Sequence, residues 1–112
     1  MPASKKRSYA RYTIAAVELL GKLVQIERKS RRMTGQEMAD RLGIDRSTLQ
    51  RLEKGDPKVE LGMAFEACAI LGIPLFEADT HSMSMRLDEA GKRIALLPNR
   101  VRPKPLSVSD EF

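Results

Sequence analysis

TGQEMADRLGIDRSTLQRLEKG, residues Thr34 to Gly55, holds two short amphipathic patterns separated by a glycine. Thr34 and Glu37 stand at the spacing of a capping box, in which the hydroxyl accepts the Glu37 amide proton and the carboxylate returns to the Thr34 amide. A helix is predicted to start there. Met38, Ala39 and Leu42 give it an apolar stripe, and Gly43 falls where a left-handed residue stops a helix. Gly43 and Ile44 make the turn. Asp45 is a second N-cap, after which Leu49 and Leu52 face inward while Arg46, Ser47, Gln50, Arg51 and Lys54 stay on the other side. Ala39 is small where two steeply crossing helices need close approach, and Gly55 with Pro57 marks the exit. The stretch is a helix, a tight turn and a second helix with a polar outer face.

The chain around it has 112 residues, 42% of them hydrophobic, which predicts one small domain with a modest core. No stretch is long and apolar enough to span a membrane. Cys68 has no second cysteine to pair with, and the N-terminus is charged without the apolar run of a signal peptide. Both features predict a reducing, cytoplasmic location. A large enzyme is disfavoured: there is no paired carboxylate site, no nucleophile with a base, no metal-ligand spacing and no phosphate-binding glycine loop. No catalytic residue, cofactor or metal is expected, with Cys68 read as a small core residue and His81 as a loop residue.

Net charge is +5, and its placement is more informative than its size: residues 1–33 carry +7, residues 34–55 balance, residues 56–80 carry −4 and residues 81–112 carry +2. A basic front beside a polar helix suits a polyanion, which attracts it before any base is read. The alternative is that basic termini only maintain solubility.

Residues 1–12 are predicted as a basic arm, with Lys5, Lys6 and Arg7 available to a phosphate backbone or minor groove. Residues 13–79 form the main domain. Its first helix, from Thr13 to Arg32, has Ile14, Val17, Leu20, Leu23 or Val24, and Ile26 on its apolar side. Gly21 interrupts it at a cost of ~1 kcal/mol relative to alanine, where another helix passes closely. Arg28 and Glu53 are predicted to pair across helices; two solvated side chains are the alternative. Leu61, Ala64, Phe65, Cys68, Ala69 and Leu71 make a core helix ending at Gly72, and Pro74 starts a fifth short helix, PLFEAD, whose Leu75 and Phe76 close the core.

Residues 80–112 are predicted as a less regular extension for dimer or partner contacts. Leu87, Ala90, Ile94 and Leu97 line one side of a short helix, or Ile94 to Leu97 form a strand. With Met83, Met85 and Leu96 they are more apolar than a solvated tail requires, which calls for a partner surface. The proline-rich tail should be extended, with Phe112 an anchor for a partner's pocket or inert.

Arg28, T-x-x-E-M-A at Thr34 to Ala39, L-G at Leu42 and Gly43, S-T-L at Ser47 to Leu49, and L-E-K-G at Leu52 to Gly55 together resemble the phage-repressor-like, or Xre-type, helix-turn-helix family over Leu20 to Asp79. The resemblance implies an all-α fold, a compact five-helix bundle with its second helix braced over the DNA backbone and its third in the major groove of each half-site. It also implies an Arg28–Glu53 pair. The chain departs at Gly35, where the family usually has a glutamine that touches phosphate; here Gln36 follows one residue later. A narrower resemblance, carried by G-D-P-K-V-E-L-G at Gly55 to Gly62, A-I-L-G at Ala69 to Gly72 and L-P-N-R-V-R-P at Leu97 to Pro103, is to HipB-like antitoxins. It implies a homodimer that represses its own operon and neutralises a HipA-like kinase toxin. A stand-alone Xre-type repressor without a toxin is the alternative.

On double-stranded operator DNA, Arg46 and Arg51 are the guanine candidates, since a guanidinium reaches O6 and N7 together and discriminates by roughly 1–3 kcal/mol. Ser47, Thr48 and Gln50 can meet base edges, thymine methyls or phosphates. Gln36 and Lys54 hold the backbone, which sets register without reading sequence.

Overall fold

The computed structural model describes residues 8–104, which contain five α-helices. Helix α1, Arg11–Ser30, begins two residues before the expected start, so Arg11 and Tyr12 belong to the helix and not to the arm. Lys5, Lys6 and Arg7 lie outside the described residues, as do Phe112 and the end of the tail.

Helix α2, Gly35–Leu42, is opened by the capping box: Glu37 N donates to Thr34 Oγ1 at 3.0 Å and Thr34 N to Glu37 Oε1 at 2.8 Å. Gly43, at φ 69°, closes it in the left-handed conformation that other residues adopt only with strain. Helix α3, Arg46–Glu53, is capped by Asp45, which accepts Thr48 N at 2.8 Å. Helix α4, Leu61–Leu71, follows the loop after Gly55.

These four helices enclose one core of Val24, Met38, Ala39, Leu49, Leu52, Ala64, Ala67, Cys68 and Leu71. In α2 and α3 the buried residues lie on the side that the apolar periodicity marks, whereas in α1 Val24 is buried and the expected Leu23 and Ile26 are exposed. Burial pushes the Cys68 thiol above its ordinary value, so it is inert packing. In α4 the core takes Ala67 where the periodicity favoured Ala69, and Leu61 is exposed.

One feature sets α1 close against α3 and another ties it to α4. A Cβ on Gly21 would lie 2.5 Å from the Leu52 carbonyl oxygen and 2.8 Å from that of Glu53, so the bare backbone of α1 sits on the end of α3. Beyond the core, Arg31 Nη2 donates to the Leu71 carbonyl at 2.6 Å and fastens the end of α1 to that of α4. A cation there also meets the negative end of the α4 dipole.

The expected fifth helix at residues 74–79 does not form. Phe76 and Glu77 both stand at φ 54°, in left-handed backbone that breaks any helix started by Pro74. Phe76 is 66% exposed and meets Phe65 edge to face, ring centroids 6.3 Å apart, so it does not close the core. The fifth helix is instead α5, Thr80–Ala95. Asp79 caps it by accepting Ser82 N at 2.8 Å, and Lys92 and Arg93 suit its C-terminal end. Residues 80–95 of the extension thus form a regular 16-residue helix, with no strand at Ile94 to Leu97. It contains no buried residue. The chain parts into two compact units between Glu77 and Ala78. No described helix is long and apolar enough to cross a membrane.

Candidate nucleic-acid interface

Leu49 and Leu52 bury one side of α3, and this leaves Arg46, Ser47, Gln50, Arg51 and Lys54 exposed with Thr48 half-buried at the margin. The orientation of that polar arc is set by an ion pair. Arg28 Nε donates to Glu53 Oε2 at 2.7 Å and Arg28 Nη2 to Glu53 Oε1 at 3.0 Å, a bidentate fork in which both side chains are about nine-tenths buried. Arg28 Nη1 also donates to the Met33 carbonyl at 2.9 Å. One guanidinium therefore fixes the end of α1, the chain leading to α2 and the end of α3. The hydrogen bond to Glu53 raises Arg28 above its ordinary value against the opposing effect of burial, so the guanidinium stays charged.

The α3 side chains divide between two concavities. Arg46, Gln50 and Lys54 line one of about 270 Å³, together with Gln25, Arg28, Gly35, Leu49 and Glu53. Thr48 and Arg51 line the other, of about 460 Å³, with Leu42, Ile44 and the residues that lead into α4. Ser47 lines neither, and its hydroxyl donates to Asp45 Oδ1 at 3.0 Å, which leaves its oxygen as an acceptor. Gln36 is exposed but turned along its own helix, its amide donating to Asp40 Oδ1 at 2.9 Å.

Arg51 is not the isolated cation that its spacing suggests. Its Nε donates to Asp56 Oδ2 at 2.7 Å, while Asp56 Oδ1 accepts Lys58 N at 2.8 Å. The Arg51 guanidinium holds the Asp56 carboxyl below its ordinary range. Nη1 and Nη2 remain the open edge of Arg51 among the described residues. Asp45 is likewise held low by hydrogen bonds from Thr48 and then Ser47, which keeps the cap of α3 charged.

Two participants were missed in the sequence. Gln25 lies one helical turn before Arg28, a spacing that places it on the same side of α1 and would have found it. Asp56 sits in a loop, and nothing in its spacing to Arg51 marks it as a partner.

The polar side of α3 is exposed, capped at its front by Asp45 and clamped at its back by the Arg28–Glu53 pair, which leaves it open to a ligand. Residues 24–77 match a family model described as Helix-turn-helix. Over those residues the chain is similar to phage-repressor-like helix-turn-helix domains, a match that suggests a sequence-specific DNA-binding regulator. No curated protein and no solved structure matches the chain.

Proposed function

We propose that this protein is a transcriptional repressor that binds a palindromic operator as a homodimer, with α3 of each copy in the major groove, and that it acts as a HipB-like antitoxin of a HipA-type kinase. The exposed polar arc of α3, held by the Arg28–Glu53 fork, carries the DNA reading. Ser47, Gln50 and the open edge of Arg51 meet base edges, and Lys54 holds a phosphate. The homodimer is drawn from α5. Met83, Leu87, Ala90 and Ile94 recur at alternating steps of four and three, the seam of a helix that packs on another helix. Leu87 is 73% and Ile94 69% exposed, so the seam is uncovered in the single chain. The antitoxin role rests on the resemblance of residues 55–62, 69–72 and 97–103 and on the further apolar groups Leu96, Leu97 and Val101, exposed beyond the seam.

The test is copurification with the product of the adjacent gene, followed by binding to the DNA upstream of the operon. Capture of a kinase together with operator binding supports the antitoxin. Operator binding with no kinase beside the gene leaves a stand-alone repressor. Within the interface, Arg51→Ala should relax sequence preference, whereas Lys54→Ala should weaken all sequences alike and reduce the salt slope by about 0.9. Equal effects from the two would sink this division.

A further inference from the structure

Gly35 is buried at the first position of α2, and the atoms that crowd it belong to one side chain. A Cβ there would lie 2.6 Å from Arg46 Nε and 3.2 Å from both Cζ and Nη2. The Arg46 guanidinium thus occupies the space that a side chain at residue 35 would fill. Because the head group is laid back on α2, it lines the concavity bounded by Gln25, Gln50 and Lys54.

The charges around it are unequal. Among the described residues, the only carboxylate that lines this concavity, Glu53, has both oxygens taken by Arg28. The side chains of Arg46 and Lys54 make no ion pair or hydrogen bond among the described residues. Two cations without a counter-charge in a cleft of about 270 Å³ fit an anion of the size of one phosphate group. A guanidinium set back between helices is also poorly placed to follow the crest of α3 to a base edge.

We propose that Gly35 is a positioning residue: its bare Cα seats the Arg46 guanidinium between α1, α2 and α3, which commits Arg46 to a DNA backbone phosphate and leaves base reading to Ser47, Gln50 and Arg51. This rests on the DNA-binding reading above. It also assigns a phosphate ligand where the chain lacks the glutamine of similar sequences, and it takes Arg46 out of the guanine-reading set.

Gly35→Ala separates the parts. Alanine is the better helix former, and the atom it displaces belongs to a side chain that can swing away, so the fold persists. The duplex selected by the wild-type chain from a randomised library, and an unrelated duplex, serve as probes across a salt series. Gly35→Ala and Arg46→Ala are each expected to weaken both duplexes by about the same factor and to lower the salt slope by about 0.9. The double variant should be no weaker than Arg46→Ala alone. Unchanged binding by Gly35→Ala with a normal melting curve overturns the proposal, as does full additivity of the two substitutions. A changed sequence preference in Arg46→Ala at an unchanged salt slope would return Arg46 to base reading and overturn it too. If the wild-type chain binds no duplex even at low salt, the DNA-binding reading itself fails. Should Gly35→Ala lose its cooperative melt, Gly35→Ser with Arg46→Ala in the same background repeats the comparison without the guanidinium.

Discussion

The helices α1 to α4 and the helix α5 satisfy their apolar side chains in opposite ways. The first four converge on a shared core in which Met38, Leu49, Leu52 and Leu71 are all but inaccessible, whereas α5 has no buried residue and leaves Leu87 and Ile94 in water. Both regions carry caps and both have periodic apolar residues. Local sequence rules therefore make a helix in either case, and only tertiary packing separates a helix that supports a core from one that needs a partner. The first region packs α3 rigidly on a shared core, and the second leaves its apolar side chains exposed in the single chain.

The sharpest way to break the contrast is Glu53→Ala. It strands the Arg28 guanidinium in a site about nine-tenths buried, and loss of one partner of such a pair costs about 3–5 kcal/mol. Urea unfolding should report that loss, and a change below about 1 kcal/mol would show that the fork does not brace the domain. Gly21→Ala comes next. Its new Cβ meets two backbone carbonyl oxygens, which cannot rotate away, so α1 must shift from α3 at a cost of roughly 1–3 kcal/mol. A melting midpoint at or above that of the wild type would deny the close approach.

Acid gives a smaller effect and a clear sign. Glu37, Asp45 and Asp56 in the first region and Asp79 at α5 are all held below their ordinary values, each chiefly by the groups that donate hydrogen bonds to it. Groups lowered on folding add stability that is fully present above their unfolded values, near pH 4, and is lost as pH falls through the lower folded ones. Hydrogen exchange between about pH 5 and pH 2 should show weakening at the starts of α2, α3 and α5; strengthening on acidification would contradict the caps. The smallest effect on the first region is expected from Leu87→Ser combined with Ile94→Ser. Its unfolding free energy should move by no more than about 0.5 kcal/mol, as for other surface changes. Sedimentation should nevertheless show that self-association is gone, and a dimer that survives both changes would remove α5 from the interface.

The legible parts of this molecule are those that local chemistry decides. Thr34 with Glu37, Gly43, and Asp45 are short-range devices, and the structure places each where its spacing predicts. Gly21 signalled a close approach without saying to what; the answer, the carbonyls of Leu52 and Glu53, is a long-range fact. The misreading at residues 74–79 has a similar cause. Pro74 followed by LFEAD mimics a helix start, and Phe76 and Glu77 give no local sign of left-handed backbone, which glycine or asparagine would have given. The correct signal lay one step on, in Asp79 as a cap for Ser82. At the interface, the α3 side chains were legible from their period, but the division into two concavities was not. That division depends on Asp56 drawing Arg51 to one flank and Gly35 admitting Arg46 on the other.

The fork between α1 and α3 also has a polarity. Arg28 spends two nitrogens on Glu53 and a third on the Met33 carbonyl oxygen, so the α1 member of the pair must be a donor. A charge swap, Arg28→Glu with Glu53→Arg, would conserve the sum of charges and still fail, because it would set a carboxylate against that carbonyl. The two positions are therefore not interchangeable, and a residue 28 that keeps this fork must be a multiple donor.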